Sequence, residues 1–98
     1  MKEKHYVITY DVTNNKRRNR LSKWLLNYAY RVQYSVFEMT AAESTMVKFL
    51  NGVHRCLDEE EDSVIIYELD VPDWQKRIHF GIQTGEKNIY EEEYAILD

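Results

Sequence analysis

Two kinds of periodicity alternate along this 98-residue chain, and together they predict an α+β sandwich with one antiparallel sheet carrying two helices on one face. Three apolar segments, His5–Val12, Arg31–Met39 and Ser63–Leu69, are rich in β-branched and aromatic residues, as strands are. Between them lie two stretches whose apolar residues recur at three- and four-residue intervals, as they do on a helix.

In the first strand Tyr6, Ile8, Tyr10 and Val12 share one face, and Val7, Thr9 and Asp11 share the other. Thr13-Asn14-Asn15 supplies a turn and candidate helix caps. Leu21, Trp24, Leu25 and Tyr28 then form the apolar stripe of a helix over 16–28, with Lys16, Arg20 and Lys23 facing away from it. The next strand, Arg31–Met39, is a single bent strand or a very short pair. Thr40-Ala41-Ala42-Glu43 reads as a capping box that opens a second helix. That helix carries Ala42, Met46, Phe49, Leu50, Val53, Cys56 and Leu57 on its apolar stripe. Asp58–Asp62 is an acidic run expected to be a solvated turn, repelling phosphate at that end of the molecule. Ser63–Leu69 is almost continuously apolar, as in a central strand covered on both faces, and Pro72 ends it. His79–Thr84 is a candidate edge strand. The order of elements makes a ferredoxin-like topology the natural expectation, with residues 1–98 as one domain, its core over 5–70 and an edge strand with a dimerisation tail over 71–98.

Composition excludes several classes. Hydrophobic residues are 44 % and charged residues 31 % of the chain, an ordinary globular balance that argues against disorder. No apolar run reaches the roughly 20 residues of a membrane span, and the N-terminus has no apolar signal region. One cysteine, Cys56, cannot form an internal disulfide, so a cytoplasmic home is expected. His5, His54 and His79 are too dispersed for a metal motif, and no phosphate-cradling glycine loop or nucleophile elbow occurs. The net charge of −4 conceals an asymmetry. Residues 1–40 hold eight Lys/Arg against three Asp/Glu, and residues 41–98 hold five against fourteen.

Two constellations could carry chemistry. Asp11 ends a strand of Tyr, Val and Ile, where a carboxylate either caps the next turn or holds a cation. Mg²⁺ binds one or two carboxylates together with water and substrate phosphate, so a metal role for Asp11 implies a two-fold dimer that pairs two copies. Directly after it come Lys16, Arg17, Arg18, Arg20 and Lys23, five cations within eight residues, with Arg31 on the following strand. Such a row either is a solvated helix face or follows a phosphate backbone without reading sequence.

Tyr10-Asp11-Val12, the basic Lys16–Arg20 segment and Arg31-Val32-Gln33-Tyr34-Ser35-Val36-Phe37-Glu38 together resemble the CRISPR-associated Cas-two family, and Asp62–Leu69 fits the family's next strand. The resemblance implies a ferredoxin-like homodimer whose tail is exchanged between protomers. It also implies a role in spacer acquisition with the Cas-one integrase, and Mg²⁺-dependent endonuclease activity on single-stranded RNA or double-stranded protospacer DNA. By position it makes Asp11 the metal ligand and a catalytic residue with Tyr10, Arg31 and Phe37, and it places Arg18 and Arg20 against nucleic acid. The family often has glycine where Ala29 stands, which would suit a left-handed helix cap. Two other readings stand beside the nuclease. One is a non-catalytic DNA scaffold bridging integrase dimers. The other is a toxin-like endoribonuclease outside CRISPR.

Overall fold

A computed structural model describes residues 2–70 and 75–81. The elements run β1 (Glu3–Asp11), α1 (Asn15–Leu26), β2 (Tyr30–Gln33), β3 (Val36–Ala42), α2 (Glu43–Cys56) and β4 (Ser63–Leu69). The sheet order is β2-β3-β1-β4, with each neighbouring pair antiparallel. This is the ferredoxin-like arrangement expected from the sequence. The Arg31–Met39 stretch resolves into a short pair, broken at the Tyr34-Ser35 turn and with an irregularity between Arg31 and Gln33. Tyr10 ties that turn to β1, its amide donating to the Ser35 carbonyl at 3.1 Å and its hydroxyl to the Tyr34 carbonyl at 3.1 Å.

Strand alternation decides which side chains meet the helices. Ile8 stands opposite Phe37 and Tyr6 opposite Met39, and all four are buried in the core with Leu21, Leu25, Phe49 and Val53. Asn14 caps α1 through its side-chain oxygen, which accepts the Arg17 amide at 2.9 Å. The two helices approach closely at Gly52. A Cβ there would lie 1.9 Å from Trp24 Cε2, so only glycine lets the indole rest on the α2 backbone. From that seat Trp24 Nε1 donates to the Phe49 carbonyl at 3.0 Å.

Three expectations are corrected, and a fourth lies mostly outside the described residues. Thr40 does not cap α2, because β3 runs on to pair Ala41 with Lys4 and Ala42 with Glu3. Ala42 becomes the N-cap without a side-chain bond, and the Thr40 hydroxyl lies 2.6 Å from His5 Nδ1 instead. Burial there lowers the His5 pKa. β4 is not covered on both faces. Among the described residues it is the sheet edge, and Ile65 and Tyr67 are exposed at 48 % and 52 %. A continuous apolar run does not by itself distinguish a central strand from an outer one. Ala29 needs no left-handed conformation, since no non-glycine residue described has a positive φ. The candidate edge strand 79–84 contributes one isolated bridge at Phe80, and residues 82–84, like Pro72 and most of the tail, lie outside the described residues.

Candidate nucleic-acid interface

Asp11 is exposed at the last position of β1, opposite Ser63 of β4. By alternation its side chain belongs to the sheet face turned away from the helices. Tyr10, one residue earlier, belongs to the helix-covered face. There its ring lies 6.1 Å from that of Phe37, and the Arg31 guanidinium lies 5.0 Å from the Phe37 centroid. Arg31 also bonds the Ser22 hydroxyl of α1. The sheet therefore separates the residues grouped as catalytic. Asp11 stands on one face, and Tyr10, Arg31 and Phe37 form a stack on the other. Phe37 is fully buried, so it cannot touch a substrate. It packs beneath Arg31 and Tyr10. The family block runs through this stack, but its face was hidden because the β2–β3 register depends on tertiary pairing.

The basic helix divides as well. Lys16, Arg20 and Lys23 are exposed along one side of α1, at spacings of four and three residues, about one turn apart. Arg18 curls back, donating to the Val12 and Thr13 carbonyls at 3.2 Å each and to the Asn15 side chain. That holds its charge beside the strand end that carries Asp11. Arg17 leaves the row altogether. Its Nε and Nη2 donate to Asp62 at 2.7 and 3.2 Å, and Nη2 also reaches Glu61 at 3.0 Å. Arg17 was expected to grip phosphate with the others, and here a fully covered Asp62 carboxylate occupies its fork.

The acidic run is thus a built turn docked on α1. Asp62 Oδ2 also accepts the Asp58 amide at 2.9 Å, and Asp58 Oδ1 accepts the Glu60 amide at 3.0 Å. The Arg17 guanidinium and the Asp58 amide hold the Asp62 carboxyl below its ordinary range, while Asp62 raises Arg17. A carboxylate with a depressed folded pKa stabilises the fold above the ordinary carboxylate pKa, and that contribution is lost as pH falls through the folded value. Asp62→Asn should therefore lower the melting temperature at pH 7, and the gap from wild type should close as pH falls through and below the ordinary carboxylate range. Melting curves across that range test the clasp. A gap that stayed constant with pH would show that Asp62 acts by packing alone.

No helix among the described residues is long and apolar enough to cross a membrane. No group of three or more His, Cys, Asp or Glu gathers among them in a way that could hold a metal ion.

Comparison with known proteins agrees with this fold. Residues 4–77 match the family model for CRISPR associated protein Cas2. A protein of Synechocystis sp. named CRISPR-associated endoribonuclease Cas2 is 39 % identical over 64 residues, spanning 65 % of this chain and 70 % of that protein. The crystal structure of Streptococcus pyogenes Cas2 superposes with a TM-score of 0.68 at 31 % identity, over 76 % of this chain and 95 % of that one. A chain from a partial Cas6-RT-Cas1–Cas2 complex matches with a TM-score of 0.66 at 31 % identity, over 76 % and 87 %. With its ferredoxin-like sheet, its strand-end aspartate and a family match over most of its length, the chain belongs to the Cas2 family of CRISPR-associated proteins.

Proposed function

We propose that this protein acts in spacer acquisition as a two-fold dimer that grips nucleic acid along α1 and cleaves its phosphodiester backbone at Asp11 with Mg²⁺. In this reading its partner is a Cas1-type integrase. The observation that carries the reading is the row Lys16, Arg20 and Lys23, which begins five residues after the exposed Asp11 and has no acidic neighbour on its helix. Relatives named endoribonucleases support a nuclease, and a neighbour taken from an assembly with Cas1 supports the partner.

Among the described residues, the end of β1 offers Mg²⁺ one exposed carboxylate, Asp11, which fits an ion that keeps most of its water and takes one or two carboxylates plus substrate phosphate. Paired copies of Asp11 would complete that set. When bound, the metal supplies an activated water and neutralises charge on the phosphate. The chain's own residues do the rest. Lys16, Arg20 and Lys23 hold successive phosphates, and Arg18 keeps positive charge at the strand end. Tyr10 and Arg31, braced by Phe37, fix the hairpin and helix that frame that end.

The solitary carboxylate also favours a second reading, in which the dimer only holds double-stranded protospacer DNA between integrase dimers. Binding and cleavage separate the two. Replacing Lys16, Arg20 and Lys23 by alanine should reduce the slope of log affinity against log salt by about 2 to 3 for each protomer that contacts duplex DNA. An unchanged slope would remove α1 from the interface. Mg²⁺-dependent cleavage of single-stranded RNA or duplex DNA by the wild type supports the nuclease, whereas binding without cleavage leaves the scaffold.

A further inference from the structure

The fold regroups the charges into layers. The two helices carry seven Lys/Arg and one carboxylate, Glu43, within a chain whose net charge is −4. Their outer seam is aromatic as well as basic. Trp24 and Tyr28 are partly exposed there, with ring centroids 5.2 Å apart. The Arg55 guanidinium of α2 lies over the Trp24 ring at 5.7 Å, on a residue that is itself exposed. At the other end, Tyr28 and Lys48 line a shallow cavity of about 330 Å³ with Ser44 and Thr45. Burial pushes the Cys56 thiol up while Arg20 and Arg55 both pull against it, so cations of α1 and α2 flank one point of the seam.

Packing explains only part of this. Trp24 is seated by Gly52 and by its bond to the Phe49 carbonyl, and Tyr28 meets Phe49 edge-on at 5.3 Å. Neither contact requires a guanidinium over the indole or an exposed lysine beside the phenol. Two partly exposed aromatic rings beside a guanidinium, flanked by cations that pair with no carboxylate among the described residues, are what unpaired bases and their phosphates bind. A duplex hides its base faces, so it would use the cations of this seam and not its planes.

We propose that the α1–α2 seam binds single-stranded nucleic acid, with bases stacking on the Arg55–Trp24 layer and on Tyr28, and with Arg20, Lys23, Lys48 and Arg55 holding the phosphates. This extends the reading of α1 as a nucleic-acid-binding helix to a surface on the opposite side of the sheet from Asp11. It assigns α2 a part that the duplex interface does not need.

The test uses the full chain with Trp74→Phe, which leaves Trp24 as the one tryptophan. Oligouridylate and oligothymidylate are titrated in parallel while its fluorescence is followed, and a mixed-sequence duplex is titrated in a separate arm. Quenching by the single strands is expected. Arg55→Ala with Lys48→Ala should weaken that binding at least about tenfold, and duplex binding should change less. Arg55→Lys, which keeps the charge but loses the plane, should restore it only in part. Preference for the uridylate would assign the seam to RNA, and equal binding to either strand. Single strands that leave Trp24 fluorescence unchanged, or that bind the doubly substituted protein as tightly as the parent, would overturn the proposal. Loss of duplex binding from the Lys16, Arg20 and Lys23 alanine variant alone would bear on the α1 reading and leave the seam standing.

Discussion

In the proposed nuclease reading, Asp11→Ala is expected to abolish Mg²⁺-dependent cleavage while leaving the protein folded. The two effects separate because the carboxylate is exposed and ends a strand whose pairing with β4 is made by the backbone. Surface substitutions of this kind change stability by about 0.5 kcal/mol or less, which for a domain of this size moves the melting temperature by under about 4 °C. Catalysis has no such reserve. Among the described residues no cluster of alternative ligands stands ready to replace Asp11. Wild-type and variant protein, purified in parallel and assayed on labelled single-stranded RNA and duplex DNA across a Mg²⁺ titration, give the answer. Equal cleavage by both proteins would mean the activity does not run through Asp11. Retained spacer acquisition by the variant in cells would then leave the scaffold as the working role. The complementary reversal, Arg18→Glu with Arg20→Glu, should block acquisition in either case, since both readings need the cations of α1.

Gly52→Ala is the substitution expected to damage the fold most for its size. Alanine in a helix interior normally gains up to about 1 kcal/mol over glycine. Here the added methyl would sit 1.9 Å from Trp24 Cε2 and 2.0 Å from Cζ2, inside the indole ring system. The ring cannot yield by a few tenths of an ångström, because its nitrogen is bonded to the Phe49 carbonyl and its face is packed beside Tyr28. Overpacking of this kind costs about 1 to 3 kcal/mol or more, so the steric loss outweighs the helical gain. A fall of roughly 10 °C in melting temperature is expected. In a Trp24→Leu background the same change should cost far less, and that coupling is the diagnostic. A Gly52→Ala protein as stable as wild type would show that the helices separate easily.

The local elements were legible in the sequence because they depend on neighbours. Alternation through Tyr6, Ile8 and Tyr10, the Asn14 cap, and the stripe through Leu21 and Leu25 all follow from spacing within one or two turns or along one strand. The exposed end position of Asp11 and the outward row Lys16, Arg20 and Lys23 were legible for the same reason. Tertiary structure decided what depends on residues far apart in the chain. Arg17 pairs with Asp62, 45 residues away, where its sequence position placed it in a basic row. Thr40 belongs to His5, 35 residues away, and not to a helix cap. Among the described residues, Ser63–Leu69 lies at the edge of the sheet, with β1 taking β3 on its other side, an order that no periodicity encodes. The split of the candidate site across two sheet faces, and the joining of α1 and α2 into one basic aromatic seam, arise in the same way. A strand's period tells which residues share a face, and a helix's period tells which share a stripe. Which stripe meets which face is settled only when the apolar surfaces of separate elements bury one another.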